Sequence, residues 1–123
     1  MPDTSSCACS AAPTLIFACS GGADVGALAD QAARRLTRDG KGKMFCLAGI
    51  GGRVSGILKS TEAAGKVLVI DGCSLDCARK TLEQAGFTDM GHVRLSDRGF
   101  VKGKTEVDEA SVAAAAGQAE SLL

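Results

Sequence analysis

Hydrophobic residues fall in short bursts along this chain, each followed by glycine and then by apolar positions at helical spacing. Thr-Leu-Ile-Phe-Ala over 14–18 is the first burst and reads as a strand. Ser20-Gly21-Gly22 turns out of it, and the spacing of Val25, Leu28, Ala29, Ala32 and Leu36 predicts a helix over about 24–38. Gly40 suits the left-handed position past that helix. A second strand is predicted over 43–48, after which Gly49-Ile50-Gly51-Gly52 leads into a helix over roughly 53–64, closed by Gly65. Lys66-Val67-Leu68-Val69-Ile70 is the clearest strand, an unbroken run of the kind buried on both faces. Asp71-Gly72-Cys73 follows it, with Ser74 a candidate N-cap for a helix to about 85 that Gly86 terminates. Residues 91–95 read as a weaker fourth strand, and Thr105-Glu106-Val107-Asp108 opens an alanine-rich final helix.

Strand–helix units repeated with short connections predict a parallel sheet covered by helices on both faces. Right-handed crossovers then leave few topologies. The expected fold is α/β: a small Rossmann-like three-layer α/β/α sandwich on a mainly parallel four-stranded sheet, in strand order 2-1-3-4. Residues 1–13 are small, polar and unpatterned, and are expected to form a flexible tail ahead of one domain over 14–123. A chain of 123 residues has room for one core and not for a second.

Composition narrows the function. Fourteen basic residues balance fourteen acidic ones, and Trp and Tyr are absent, so neither a basic patch nor stacking aromatics point to nucleic acid. No apolar run approaches the roughly 20 residues of a membrane span. Leu15-Ile16-Phe17-Ala18-Cys19 loosely resembles a lipoprotein cleavage box, but no Lys or Arg precedes it and its apolar stretch is short. The expected location is the cytoplasm, where clustered thiols mean metal or redox chemistry more often than structural disulfides. A monomer or small homo-oligomer is expected, with the apolar stretch 112–116 packing on the sheet or on another subunit.

Cys19, Cys46, Cys73 and Cys77 all fall where a predicted strand gives way to a helix. Carboxyl ends of parallel strands share one edge of the sheet, at the crevice where such folds bind ligands. Cys73 and Cys77 are four apart, a spacing that would set both on one helix face. Zinc takes four sulfurs at about 2.3 Å, and strands about 4.8 Å apart could bring these four to one point. A free cysteine is often just a small buried hydrophobe, but four on one edge make coincidence a poor explanation. Cys19 and Cys73 precede helix starts, whose dipoles favour thiolate. Neighbouring glycines would let backbone N–H groups approach the sulfurs. Arg53 is a candidate to offset the charge of about −2 on a zinc tetrathiolate.

Three segments carry a family resemblance: Leu-Ile-Phe-Ala-Cys-Ser-Gly-Gly-Ala-Asp-Val-Gly (15–26), Met-Phe-Cys-Leu-Ala-Gly-Ile-Gly-Gly (44–52) and Ile-Asp-Gly-Cys-Ser-Leu-Asp-Cys-Ala-Arg-Lys-Thr-Leu-Glu (70–83). Together they resemble the DGC-domain family of predicted zinc-binding proteins, named for the triplet that is Asp71-Gly72-Cys73 here. The resemblance spans roughly 15–107 and implies the same four ligands, Cys19, Cys46, Cys73 and Cys77. It implies no established activity.

Other signals are weaker. Cys7-Ala8-Cys9 lies in the tail, outside the resemblance, and is read as incidental. A phosphate loop beginning at Cys19 would need Arg six residues on, where Val25 stands. A dinucleotide loop at Gly49-Ile50-Gly51 lacks its third glycine, replaced by Val54. Asp71 is expected to accept backbone N–H bonds in its turn. His92 is expected at the surface or an edge, away from the sulfurs, and Lys41, Lys43, Lys102 and Lys104 as solvated loop charge. Three functions remain: a zinc-binding module for storage, sensing, carriage or structure; a thiol redox protein or cysteine enzyme using Cys73 or Cys19 as nucleophile; and an iron–sulfur or other soft-metal protein on the same ligands.

Overall fold

The computed structural model describes residues 12–123. Cys7, Cys9 and nearly all of the expected tail lie outside the described residues. Strand β1 (Thr14–Ala18) is followed by α1 (Asp24–Arg38), β2 (Lys43–Met44), α2 (Leu47–Gly51), α3 (Ser55–Glu62) and β3 (Lys66–Asp71). Helix α4 (Cys77–Gln84), β4 (Gly91–Arg94), a 3-10 turn over Leu95–Arg98 and α5 (Glu109–Glu120) complete the chain. Among the described residues the strands form one all-parallel sheet in the order β2-β1-β3-β4, the order expected from the sequence.

Strand alternation divides the core. Leu15 pairs in register with Val67 and Phe17 with Val69, and this face packs on Ile50 of α2 and on Ala78 and Leu82 of α4. The opposite face, with Ile16, Ala18, Leu68 and Ile70, packs on Leu28, Ala29, Ala32 and Leu36 of α1. Alanines let the helices approach: Ala115, Ala116 and Ala119 of α5 are buried in the same cluster as Ala29, Ala32 and Ala33. The stretch 112–116 thus has its partner within the chain. Beyond Ala18, Cys19 touches both clusters, so the first cysteine stands where the two cores meet at the sheet's edge. No helix of the described residues is long and apolar enough to cross a membrane.

Several boundaries differ from expectation. Strand β2 stops at Met44, because Cys46 caps a short helix where strand was expected, and a separate helix begins only at Ser55. Helix α5 begins at Glu109, after Asp108. The Asp108 carboxylate accepts the Ser111 N–H and the Ser111 hydroxyl accepts the Asp108 N–H, each at 2.9 Å. This reciprocal cap fixes the start.

Two carboxylates at helix starts, Asp24 and Asp108, lie below the usual carboxylate range. Bonds from Ser111 hold Asp108 there, and the Gly103 and Thr105 N–H groups hold Asp24. A folded-state value below the unfolded one gives stabilisation that is complete above the unfolded value of about 4. It is lost as pH falls through the lower folded value. Thermal unfolding followed from about pH 7 to about pH 3 should therefore show a fall in Tm below about pH 4. Asp108→Asn and Asp24→Asn should each flatten that fall. An acid slope identical in both variants and the wild type would contradict the assignment.

Candidate metal centre

The backbone N–H of Cys19, just past β1, donates to the Ile70 carbonyl at 3.1 Å and so ties it to β3. Its Sγ accepts the Gly72 N–H at 3.4 Å and is also hydrogen-bonded by the Gly21 backbone. Cys46 is the N-cap of α2, and its Sγ accepts the Gly49 N–H at 3.3 Å. Phe45 still bonds the Ile16 carbonyl at 2.8 Å, but the cap then turns the chain out of the sheet. Cys73 lies in the turn after β3, with its Sγ 3.7 Å from Lys102 Nζ. Cys77 is the first residue of α4 and is exposed.

That helix starts at Cys77, not at Ser74. Asp76 precedes it in left-handed conformation (φ 53°, ψ 42°), and its N–H donates to the Cys73 carbonyl at 3.2 Å. Cys73 and Cys77 therefore flank a closed turn and do not share a helix face.

Cys19 and Cys46 line one open cleft of about 1120 Å³ with Arg34, Arg38, Phe45 and Thr81. Cys77 stands close enough to Cys19 to act on its charge. No three of the sulfurs, among the described residues, come within 4.8 Å of one another. Tetrahedral zinc would place sulfurs about 3.8 Å apart. The donor set nevertheless fits a soft divalent ion in kind: four thiols rise from one sheet edge, and the sulfurs of Cys19, Cys46 and Cys73 already accept N–H donors. Such outer donors orient metal ligands. Closing on an ion would draw the sulfurs together.

Cys19 does not have the thiolate character expected of a residue before a helix. Burial pushes its thiol up, the Gly21 and Gly72 N–H bonds oppose that only in part, and Asp71 and Cys77 add to the rise. Helix α1 starts at Asp24, beyond an intervening loop, so its dipole falls off before the sulfur. Arg53 is likewise not a counter-charge: its guanidinium donates to the carbonyls of Ile50 at 2.8 Å and Gln84 at 3.2 Å, tying α2 to the end of α4.

Asp71 accepts backbone N–H bonds, as expected, and does so within an ionic network under the turn that also takes in His92, Asp76 and Arg94. The Asp71 carboxylate, on a residue 1% exposed, accepts the Ala78 N–H at 2.8 Å and the Arg79 N–H at 3.1 Å. His92 Nε2 lies 2.9 Å from the same carboxylate and 3.7 Å from Asp76 Oδ1. Arg94 grips Asp76 through Nε at 2.8 Å and through Nη2, which holds the Asp76 carboxyl below its usual range. His92 thus stands on the edge strand, as expected, but half-buried on the face that carries α4 and not at the surface. Arg94 and the helix N–H groups already occupy the two carboxylates, so the cluster fastens α4 and presents Cys77. The one sequence signal was His92 and Arg94 at strand alternation. Register sets them opposite Val69 and Asp71 on one face.

Gly72 completes the geometry. A Cβ there would lie 2.7 Å from the Val25 carbonyl and 2.9 Å from the Gly26 nitrogen, so the end of β3 presses on the backbone of α1. That approach delivers the Gly72 N–H to Cys19. A DGC domain match covers residues 15–119, taking in all these elements. The chain belongs to the DGC domain family. A relative, the anaerobic and virulence modulator AnvM of Pseudomonas aeruginosa PAO1, is 35% identical over 88 residues, covering 72% of this chain and 67% of that protein. No solved structure matches. In this DGC domain the triplet divides its work: Asp71 anchors α4, Gly72 permits contact with α1, and Cys73 supplies a sulfur.

Gly72→Ala should destabilise the fold by about 1–3 kcal/mol, since rigid backbone must shift. Asp71→Ala should cost about 2–3 kcal/mol by orphaning two helix N–H groups and His92. Urea unfolding measures both, and wild-type stability in Gly72→Ala would refute the close packing.

Proposed function

We propose that this DGC domain binds one zinc ion through Cys19, Cys46, Cys73 and Cys77 and acts as a regulatory metal-binding protein in the cytoplasm. The observation that carries this reading is the set of N–H donors already directed at three of the four sulfurs: Gly72 on Cys19, Gly49 on Cys46 and Lys102 on Cys73. Thiolate ligands need such donors, because zinc neutralises only half of the charge that four thiolates bring. The sulfurs stand apart in the structure, so binding would include closure of the turn at Cys73 and of the cap at Cys46.

Four sulfurs leave zinc no open position, which argues against hydrolysis and for a structural or signalling role. The relative's description as a modulator agrees with regulation. When bound, zinc would cross-link β1, the α2 cap and the start of α4.

Elemental analysis and thiol titration on protein prepared without air should find about one zinc per chain, with the thiols unreactive until a chelator is added. Cys73→Ser should lose that stoichiometric zinc; its full retention would refute the ligand set. A brown, iron-containing preparation would replace zinc with an iron–sulfur cluster on the same ligands. Metal-free protein forming Cys73–Cys77 or Cys19–Cys73 disulfides at mild potential would favour the thiol-redox reading.

A further inference from the structure

Lys102 is an exposed loop charge, as expected, but one with a sulfur for a neighbour. Its Nζ stands 3.7 Å from Cys73 Sγ, and among the described residues it forms no ion pair with a carboxylate. The loop that carries it is built. Asp24, the first residue of α1, accepts the Gly103 N–H on one carboxylate oxygen at 2.9 Å and the Thr105 N–H on the other at 3.0 Å. Within the loop, the Val101 carbonyl accepts the Thr105 hydroxyl at 2.7 Å and the Lys104 N–H at 3.0 Å. Gly103 takes the left-handed conformation (φ +86°) that this tight turn requires. The segment 101–105 is therefore a strap latched across the start of α1, with its lysine set over the cysteine of the Asp-Gly-Cys triplet.

The need for a cation there is physical. A closed four-thiolate zinc site carries a net charge of about −2. Arg53 is spent on carbonyls, and the nearest buried acids, Asp71 and Asp76, add negative charge. Arg34, paired with Asp30, and Arg38 line the cleft with Cys19 and Cys46, but among the described residues the cation in contact with one of the four sulfurs is Lys102. We propose that Lys102, held by the Asp24-latched strap, is the positioning and charge-compensating residue that retains metal in the four-cysteine site. This rests on the zinc reading above and adds to it a residue and a loop outside the cysteine ligands.

Zinc affinity, measured by competition with a coloured chelator at low and high salt, tests this in the full chain. Lys102→Met keeps the length of the side chain and removes its charge. It should weaken zinc about 10-fold, as loss of an outer partner does, and reduce the salt dependence of binding. Lys102→Arg should recover most of the affinity. Asp24→Ala should weaken zinc in the same direction. In metal-free protein, hydrogen exchange should find the Gly103 and Thr105 amides protected in wild type and in Lys102→Met, and unprotected in Asp24→Ala. Wild-type zinc affinity in Lys102→Met, with wild type binding one zinc per chain, would overturn the role of Lys102 and leave the zinc site standing. A wild type that binds no zinc would overturn the site itself, and the role with it. Unprotected amides in the wild type would overturn the latch.

Discussion

The Asp71 carboxylate sets the geometry of the cysteine edge. It ends the most buried strand of the sheet, and it is almost fully enclosed. A carboxyl group in that position is tolerated only if its oxygens are bonded. Two N–H groups from the first turn of α4 and the His92 ring supply those bonds. The helix can therefore start at only one place. With its start fixed, the chain between Asp71 and Cys77 has five residues in which to turn, and Gly72, Cys73 and Asp76 take their positions from that confinement.

The confinement is visible as backbone strain. Ser20, Arg53 and Asp76 are the non-glycine residues with positive φ among the described residues; Ser20 and Asp76 lie in the turns that follow β1 and β3, and Arg53 in the one between α2 and α3. Left-handed residues of this kind cost of order 1 kcal/mol each. Side-chain bonds hold them: Ser20 to Asp30 at 2.8 Å, Arg53 to the Ile50 carbonyl, and Asp76 to Arg94. These bonds hold the strained residues in place, while the thiols themselves stand apart.

Charge is arranged to match. Carboxylates lie beneath the turn, tied to Arg94, His92 and helix N–H groups, and the donors that face the sulfurs are backbone amides and Lys102. Separation of the two layers keeps the buried acids satisfied without removing the N–H groups from the thiols.

The sequence by itself determined the layers, the strand order and the four cysteines at strand ends, because each depends on local pattern: continuous apolar runs, helical spacing and glycine punctuation. It also marked the triplet Asp71-Gly72-Cys73. It misplaced the start of α4 and the end of β2, since Ser74 and residues 45–48 have the right local chemistry and lose to contacts made elsewhere. Only the tertiary structure decided that burial raises the Cys19 thiol, that Arg53 binds carbonyls, that His92 and Arg94 reach Asp71 and Asp76, and that Lys102 reaches Cys73. Arg53 reaches Gln84, and the other side-chain contacts likewise join residues 16 to 31 positions apart; the rise at Cys19 comes from burial that such contacts create. Periodicity carries no information about them, because they follow from strand register and from how closely one backbone can approach another.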